Sequence, residues 1–281
     1  MGILLLISIC LGFTRCVTQA VKVPFQVLTP DSFFAIFWTT FILVLVVYDL
    51  LVKPFQISFF EDNRNNEFLQ RSAAVCGALF TLDIVFNFRT AFYDKGVLVE
   101  SSSVIFKNYL RVNFIWDSIA VLADFISLAY AEDATFYIKL VSIIRVRKLL
   151  SLTTRAEDFL TISKPTAAAL KLFKLWATIM IVAHWLACIF HFIAISNKHS
   201  ETWLSFLGLT EEQIIVRYIY AFYWSTATML TVGYGDVVPI SIAERVYTIV
   251  SMMIACVVFG YSLNTVANIL KEMSYEKDQR R

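Results

Sequence analysis

Six stretches of this chain are almost continuously apolar, each near the roughly 20 residues that a helix needs to cross hydrocarbon. They run from Phe33 to Val52, Ser72 to Phe92, Leu110 to Tyr130, Thr135 to Leu152, Leu172 to Ile195 and Val246 to Leu270. A seventh, Tyr218–Met229, is too short to span and runs directly into "LTVGYGDVVP", whose glycines and proline disfavour helix. Non-helical backbone at membrane depth is tolerated only where protein buries it or it lines a water-filled path. The pattern therefore predicts an all-α membrane protein of six transmembrane helices, with a re-entrant half-helix and loop between the fifth and sixth. The "TPDS" at 29–32 predicts the start of the first helix, with Thr29 as cap and Pro30 in the first turn.

Composition agrees with the pattern. The 281 residues are 58% hydrophobic and only 16% charged, against about 25% charged in soluble domains. Basic residues orient the spans. With both termini cytoplasmic, fourteen of the 24 lysines and arginines fall inside and six outside, the other four lying in the fourth segment. "GILLLISICLGF" near the start loosely resembles a signal peptide, but its n-region carries no basic side chain, and cleavage would invert every later loop. An interfacial N-terminal segment is the favoured reading. Five cysteines without metal-like spacing, an odd count, exclude a complete disulfide framework.

The domains expected are an N-terminal segment at 1–32, a four-helix unit at 33–152, a connecting elbow at 153–171, a pore domain at 172–273 and a cytoplasmic tail at 274–281. The elbow, "TTRAEDFLTISKPTAAALK", is mixed polar with one proline.

Chemistry concentrates in two places. In "TVGYGD" the glycines permit backbone conformations that other residues avoid. Successive carbonyls can then face a common axis, and a ring of them can replace the hydration shell of a monovalent cation. The half-helix ahead of the loop ends near Met229, so its negative end also favours a cation. This loop resembles the potassium-channel signature. The resemblance implies that Thr231, Val232, Gly233 and Tyr234 line potassium sites with main-chain oxygens, Thr231 also with its hydroxyl. It implies that Gly235 and Asp236 form the outer mouth, that Tyr223 and Trp224 form a cuff donating to Asp236 and Tyr234, and that four subunits close the ring. The preceding half-helix is then a pore helix and the loop a selectivity filter.

The second place is "YIKLVSIIRVRKLLSL" (137–152), which puts Lys139, Arg145 and Lys148 into an apolar helix. Charge at that depth costs at least ~2.5 kcal/mol per residue on insertion scales, so partners are required. Lys139, Ser142, Arg145 and Lys148 recur at every third residue, the stripe of a voltage-sensor helix with one neutral rung. Arg147 falls off the stripe. Asp49, Asp83, Asp117 and Asp124 lie in the first three segments as candidate counter-charges. Phe80-x-x-Asp83 with Asp117 resembles the charge-transfer centre of voltage-gated channels. Three charges in each of four subunits, crossing the whole field, would supply at most roughly 28 kcal/mol per 100 mV. A static packing domain with leftover ion pairs is the plainer alternative.

Longer stretches resemble the cyclic-nucleotide-binding-domain superfamily of channels, of ether-à-go-go, hyperpolarisation-activated and plant inward-rectifier type. These are "YDLLVKPFQISFF" (48–60), "LDIVFNFRTAFYDKGVLV" (82–99), "AHWLACIF" (183–190) and "YAFYWSTATMLTVGYGD" (220–236). The whole looks most like the members that ciliates carry. About ten residues follow the sixth span, which leaves no room for the nucleotide-binding domain, so no cyclic-nucleotide response is expected through this chain. The sixth span lacks proline; Gly260 is a candidate flexible point for a gate, with close packing an equal alternative. His184 and His191, seven apart, are read as packing residues rather than metal ligands.

The expectation is a tetrameric, voltage-responsive, potassium-selective channel subunit of the plasma or ciliary membrane. It needs no cofactor beyond the permeant ion, partners three further subunits and lipid, and binds no nucleic acid. No nucleophile-and-base pair or phosphate loop suggests an enzyme. A weakly selective cation channel and a non-conducting subunit of a larger membrane assembly are the alternatives.

Overall fold

The computed structural model describes residues 27–59, 67–94, 97–129, 141–149, 151, 164–197 and 200–279. Most of the N-terminal segment, Lys139 and residues 153–163 of the elbow lie outside these. Among the described residues the fold is all-α but for one small hairpin. In order, the helices are α1 (Phe33–Phe59), α2 (Glu67–Asn87), α3 (Ser102–Tyr109), α4 (Ile115–Ala129), α5 (Lys164–Ser196), α6 (Trp203–Phe206), α7 (Ile214–Met229) and α8 (Ile242–Gln279). Among the described residues, Phe33–Phe59, Ala167–Ser196 and Ile242–Lys271 are long and apolar enough to cross a membrane. The second and third apolar runs also form helix, α2 and the α3–α4 pair, while of the fourth only 141–149 and 151 are described.

The chain divides into two units. One comprises Met1–Asp49 and Arg64–Thr153, the other Leu50–Asn63 and Thr154–Arg281. The division falls inside α1, so residues 50–59 pack with the second unit although the helix is continuous.

In the first unit, the start of α1 departs from the expected cap. Leu28 N–H donates to Arg89 O (3.0 Å) and Leu28 O accepts from Ala91 N–H (2.9 Å), which holds the chain extended before the turn at 29–32. Helix begins only after that turn, and Ser32 Oγ, not Thr29, accepts from Ala35 N–H at 3.3 Å. A hairpin that was not expected follows α2: β1 (Phe92–Asp94) pairs antiparallel with β2 (Val97–Val99), Tyr93 opposite Leu98. The Tyr93 hydroxyl donates to Asp31, and that bond raises the phenol above its ordinary pKa. Between α3 and α4 the helix widens to a π turn at Leu110–Phe114. Such turns re-aim side chains and cluster at functional sites.

In the second unit, α5 has 33 residues and α8 has 38. At 1.5 Å per residue they are about 50 and 57 Å long, well beyond a hydrocarbon core of about 30 Å. Residues 164–171 of the elbow are therefore continuous with the fifth span, and α8 runs through the expected tail to Gln279. The core is aromatic. Phe190 of α5 lies between Trp224 of α7 (centroids 3.8 Å apart) and Trp203 of α6 (5.1 Å). Ser225 Oγ donates to Ala183 O (2.8 Å) and Tyr247 O–H to Leu186 O (2.9 Å), binding α7 and α8 to α5.

Both α5 histidines bind backbone carbonyls of α1. His184 Nε2 donates to Leu51 O (2.8 Å) and His191 Nδ1 to Ser58 O (2.8 Å). The histidines are seven apart and so are the carbonyls, which sets the register of two parallel helices. Ser58 stands beside Phe59, the last residue described in α1. Leu51 lies beside the break that Pro54 makes in the ladder, since proline removes the N–H that would bond residue 50. A carbonyl can only accept, so Nε2 of His184 carries the proton and Nδ1 accepts from the Tyr218 hydroxyl at 2.9 Å. Phe59 stacks on His191 at 3.8 Å. Replacing His191 by leucine should keep most of the apolar bulk and orphan Ser58 O. A loss of about 1–3 kcal/mol is expected, read as a lower unfolding midpoint of the detergent-solubilised protein.

Candidate functional site

The filter loop begins where α7 ends. Leu230 N–H donates to Thr226 O (2.9 Å), Thr231 N–H to Thr228 O (3.2 Å) and Val232 N–H to Ala227 O (2.8 Å). The first amides of the loop are thus turned back onto the helix end. Beyond them φ alternates in sign. Thr231 (+56°), Gly233 (+63°) and Gly235 (+76°) are left-handed, and neither Val232 nor Tyr234 is. In a strand of uniform sign, carbonyls point alternately to opposite sides. Inverting φ at every second residue turns each alternate peptide over, so carbonyls on both kinds of residue can share one side. Glycine takes these values freely at 233 and 235. Thr231 is β-branched, so its positive φ is strained, by about 1–3 kcal/mol.

Around the loop, the Tyr223 hydroxyl donates to Asp236 Oδ2 (2.8 Å), and the Tyr223 ring lies parallel to that of Tyr234 with centroids 6.1 Å apart. Asp236 Oδ1 also accepts from Val237 N–H at 3.1 Å. Trp224, the other cuff residue, makes no bond to Tyr234 within the chain; it is buried against Phe190. Val232 is 48% exposed and Tyr234 72% exposed, so one side of the loop is open in the single chain. Gly260 lies inside α8, and a Cβ placed there would meet nothing within 4 Å, so no close packing within the chain accounts for it.

The charged cluster lies in the first unit. Val141–Ile144 is 3-10 helix and passes into α-helix at 145–149. Arg145 is the first residue of the α-helical stretch, directly after the 3-10 segment. Arg145 is 3% exposed and is paired with both Asp49 and Asp124, and its guanidinium carbon lies 4.0 Å from the Phe80 ring centroid. One turn on, Lys148 is paired with Asp83 and lies 3.4 Å from Asp117. The four acids therefore fall into two pairs, one for each base, and Phe80 sits against Arg145. The Arg147 guanidinium lies 5.0 Å from the Trp116 ring.

Three residues that hold these acids were not anticipated. Trp38 Nε1–H donates to Asp83 Oδ1 (2.9 Å), Asn87 Nδ2–H to Asp83 Oδ2 (2.9 Å) and the Tyr109 hydroxyl to Asp117 Oδ2 (2.7 Å). Asn87 stands four residues after Asp83, a spacing that signals contact on a helix. Tyr109 and Asp117 are eight apart, with the π turn of Leu110–Phe114 between them, and no sequence pattern would pair them. Breaking a buried ion pair from one side leaves an uncompensated charge. Asp124→Asn should therefore destabilise the solubilised protein by about 3 kcal/mol, measured by thermal unfolding, and Asp124→Glu by less.

Comparison with known proteins matches the helices and loop just described to one family. The family model "Ion transport protein" matches residues 35–281. Potassium channel AKT1 of Arabidopsis thaliana is 26% identical over 238 residues, which covers 83% of this chain and 27% of that protein. Potassium channel AKT2 of Oryza sativa subsp. japonica is 29% identical over 247 residues, covering 84% and 28%. The potassium voltage-gated channel protein eag of Drosophila melanogaster is 28% identical over 279 residues, covering 91% and 24%. These are the plant and ether-à-go-go types that the sequence resembles, and none is an enzyme. The chain spans about a quarter of the length of these curated relatives. Its helices, broken loop and matched length together say that the chain belongs to the ion transport protein family.

Proposed function

We propose that the chain is one of four subunits of a potassium-selective channel whose opening follows membrane voltage. The observation that carries the reading is the alternating sign of φ at 231–235, directly after the negative end of a half-helix. A loop so folded offers carbonyls on one side, and one chain supplies a quarter of a ring. Four such chains would close the ring, whose carbonyls replace water around a dehydrated potassium ion. The dipole of α7 adds negative potential at the inner end of the row. The exposed apolar side chains of α8, among them Val246, Met253 and Val257, suit a helix that meets lipid or other subunits. The names of the relatives, potassium channels from plants and a fly, support the same ion.

The voltage response is argued from the charged cluster. Arg145 and Lys148 sit one turn apart, each with its own pair of acids. Displacement along the helix by one turn would carry Arg145 to the acids that now hold Lys148, so that charge would move from one acid pair to the next. Lys139, outside the described residues, would be the third base of the stripe. Each charge that crosses the full field is worth ~2.3 kcal/mol per 100 mV. Two per subunit in four subunits give a ceiling of roughly 18 kcal/mol per 100 mV, and a fraction of that suffices to move a gate. Cytoplasmic termini follow from the bias of basic residues, in a plasma or ciliary membrane.

Purified protein in planar bilayers with potassium on one side and sodium on the other tests the pore. The reversal potential should follow the potassium gradient by about 59 mV per tenfold change, and one that ignores it would make the filter non-selective. Gating currents test the sensor. Lys148→Gln should lower the charge moved per tetramer by up to about four elementary charges, and an unchanged charge would sink the sensing role of that position.

A further inference from the structure

We infer that Glu244 is a positioning residue that holds the outer end of the filter loop, an inference that rests on the channel reading above. Glu244 lies in the first turn of α8 and is fully buried, with 0% exposure. Both its carboxylate oxygens face backbone donors. Oε2 accepts from Ile240 N–H (2.9 Å) and Ser241 N–H (3.0 Å), and Oε1 accepts from Trp203 N–H (3.2 Å). The Glu244 N–H in turn donates to Ser241 Oγ at 3.2 Å.

The part involving Ser241 is an ordinary capping box, which ties a helix to the residue before it. The bond to Trp203 is not. It comes from the head of α6, on the chain between the fifth span and the half-helix, 41 residues upstream. Trp203 stacks on Phe190, and Phe190 stacks on Trp224 in α7. On the other side, Ile240 is four residues after Asp236, which is itself bound to Tyr223 of α7. One carboxylate therefore joins the chain leaving the filter to the aromatic stack behind the pore helix. Tyr223 holds the filter mouth from inside the loop, and Glu244 holds the strand beyond it.

The charge state suits the role. A carboxylate accepts with both oxygens, whereas an amide accepts with one side and donates with the other. In Glu244→Gln, the amide NH2 must face the N–H of Trp203 or the pair at Ile240 and Ser241. Either way at least one buried donor loses its acceptor, although the side chain keeps its size. The strand after Asp236 is then free to shift, and the carbonyl row with it.

The experiment compares potassium currents during maintained activation, together with hydrogen–deuterium exchange at the amides of residues 203, 240 and 241. In Glu244→Gln, current decay should be about tenfold faster and slowed by raised external potassium. Exchange should also be about tenfold faster at residue 203 or at residues 240 and 241, according to which side the amide NH2 faces, the change for roughly one buried hydrogen bond. The voltage of half-activation and exchange within α7 should not move. A variant that matches the wild type in decay and exchange overturns the inference. Should Glu244→Gln fail to assemble, a backbone ester replacing the amide at Ser241 removes one donor and leaves every side chain intact. Faster decay or exchange then supports the role, and neither overturns it. A wild type that assembles as a tetramer yet carries no current refutes the channel reading, and exchange alone then decides the role of Glu244.

Discussion

Hydrocarbon offers no partner to a backbone N–H or C=O, and this constraint governs nearly every feature of the chain. It makes the spans helical, and it makes each interruption of helix conspicuous by what repairs it. Pro54 breaks the ladder of α1, and His184 donates to the carbonyl beside the break. Near the last described residue of α1, His191 donates to the Ser58 carbonyl. The head of α8 leaves N–H groups exposed, and Glu244 accepts from the chain around them. Where α7 stops, its last carbonyls accept from the first amides of the loop. Past that point, at 231–235, φ alternates in sign, so that carbonyls can share one side with no helix to satisfy them. A site that binds a cation through backbone oxygens can exist only where such a row remains.

The same scarcity of solvent governs the charges. A lone guanidinium at the depth of Arg145 would be prohibitively costly, yet two carboxylates and an aromatic face surround it. A buried pair is weak evidence for stability, because desolvation cancels much of the attraction. It is better evidence of a constraint on position, since the bases are stable only opposite acids. The acids in turn are held by Trp38, Asn87 and Tyr109. Two fixed sites one helical turn apart make a ladder with discrete steps, and this is the physical content of the proposed voltage response.

Much of this was legible beforehand, for physical reasons. Hydropathy marks which residues lie in hydrocarbon, and so the first, fifth and sixth apolar runs fell within α1, α5 and α8, whereas the second overran α2 into the hairpin. It says nothing of where the helix stops, because a helix can continue into water; α5 and α8 overran the expected spans for that reason. The half-helix ended at Met229 as expected, since glycine and strained threonine cannot extend it. The cap of α1 was misplaced from Thr29 to Ser32, because pairing of Leu28 with the chain at 89–91 delays the helix. A local pattern cannot contain a contact made across sixty residues.

The sequence by itself determined that the chain is a helical membrane protein with one broken loop, and which backbone could take left-handed φ there. Those are local properties, set by side-chain polarity and by the presence or absence of Cβ. It also determined that the charges at 145 and 148 needed acids. Only the tertiary structure decided which acid serves which base, that His184 and His191 donate to carbonyls of another helix, and that Glu244 ties three segments together. These depend on distances between residues far apart in the chain, which the order of amino acids constrains only through the packed fold.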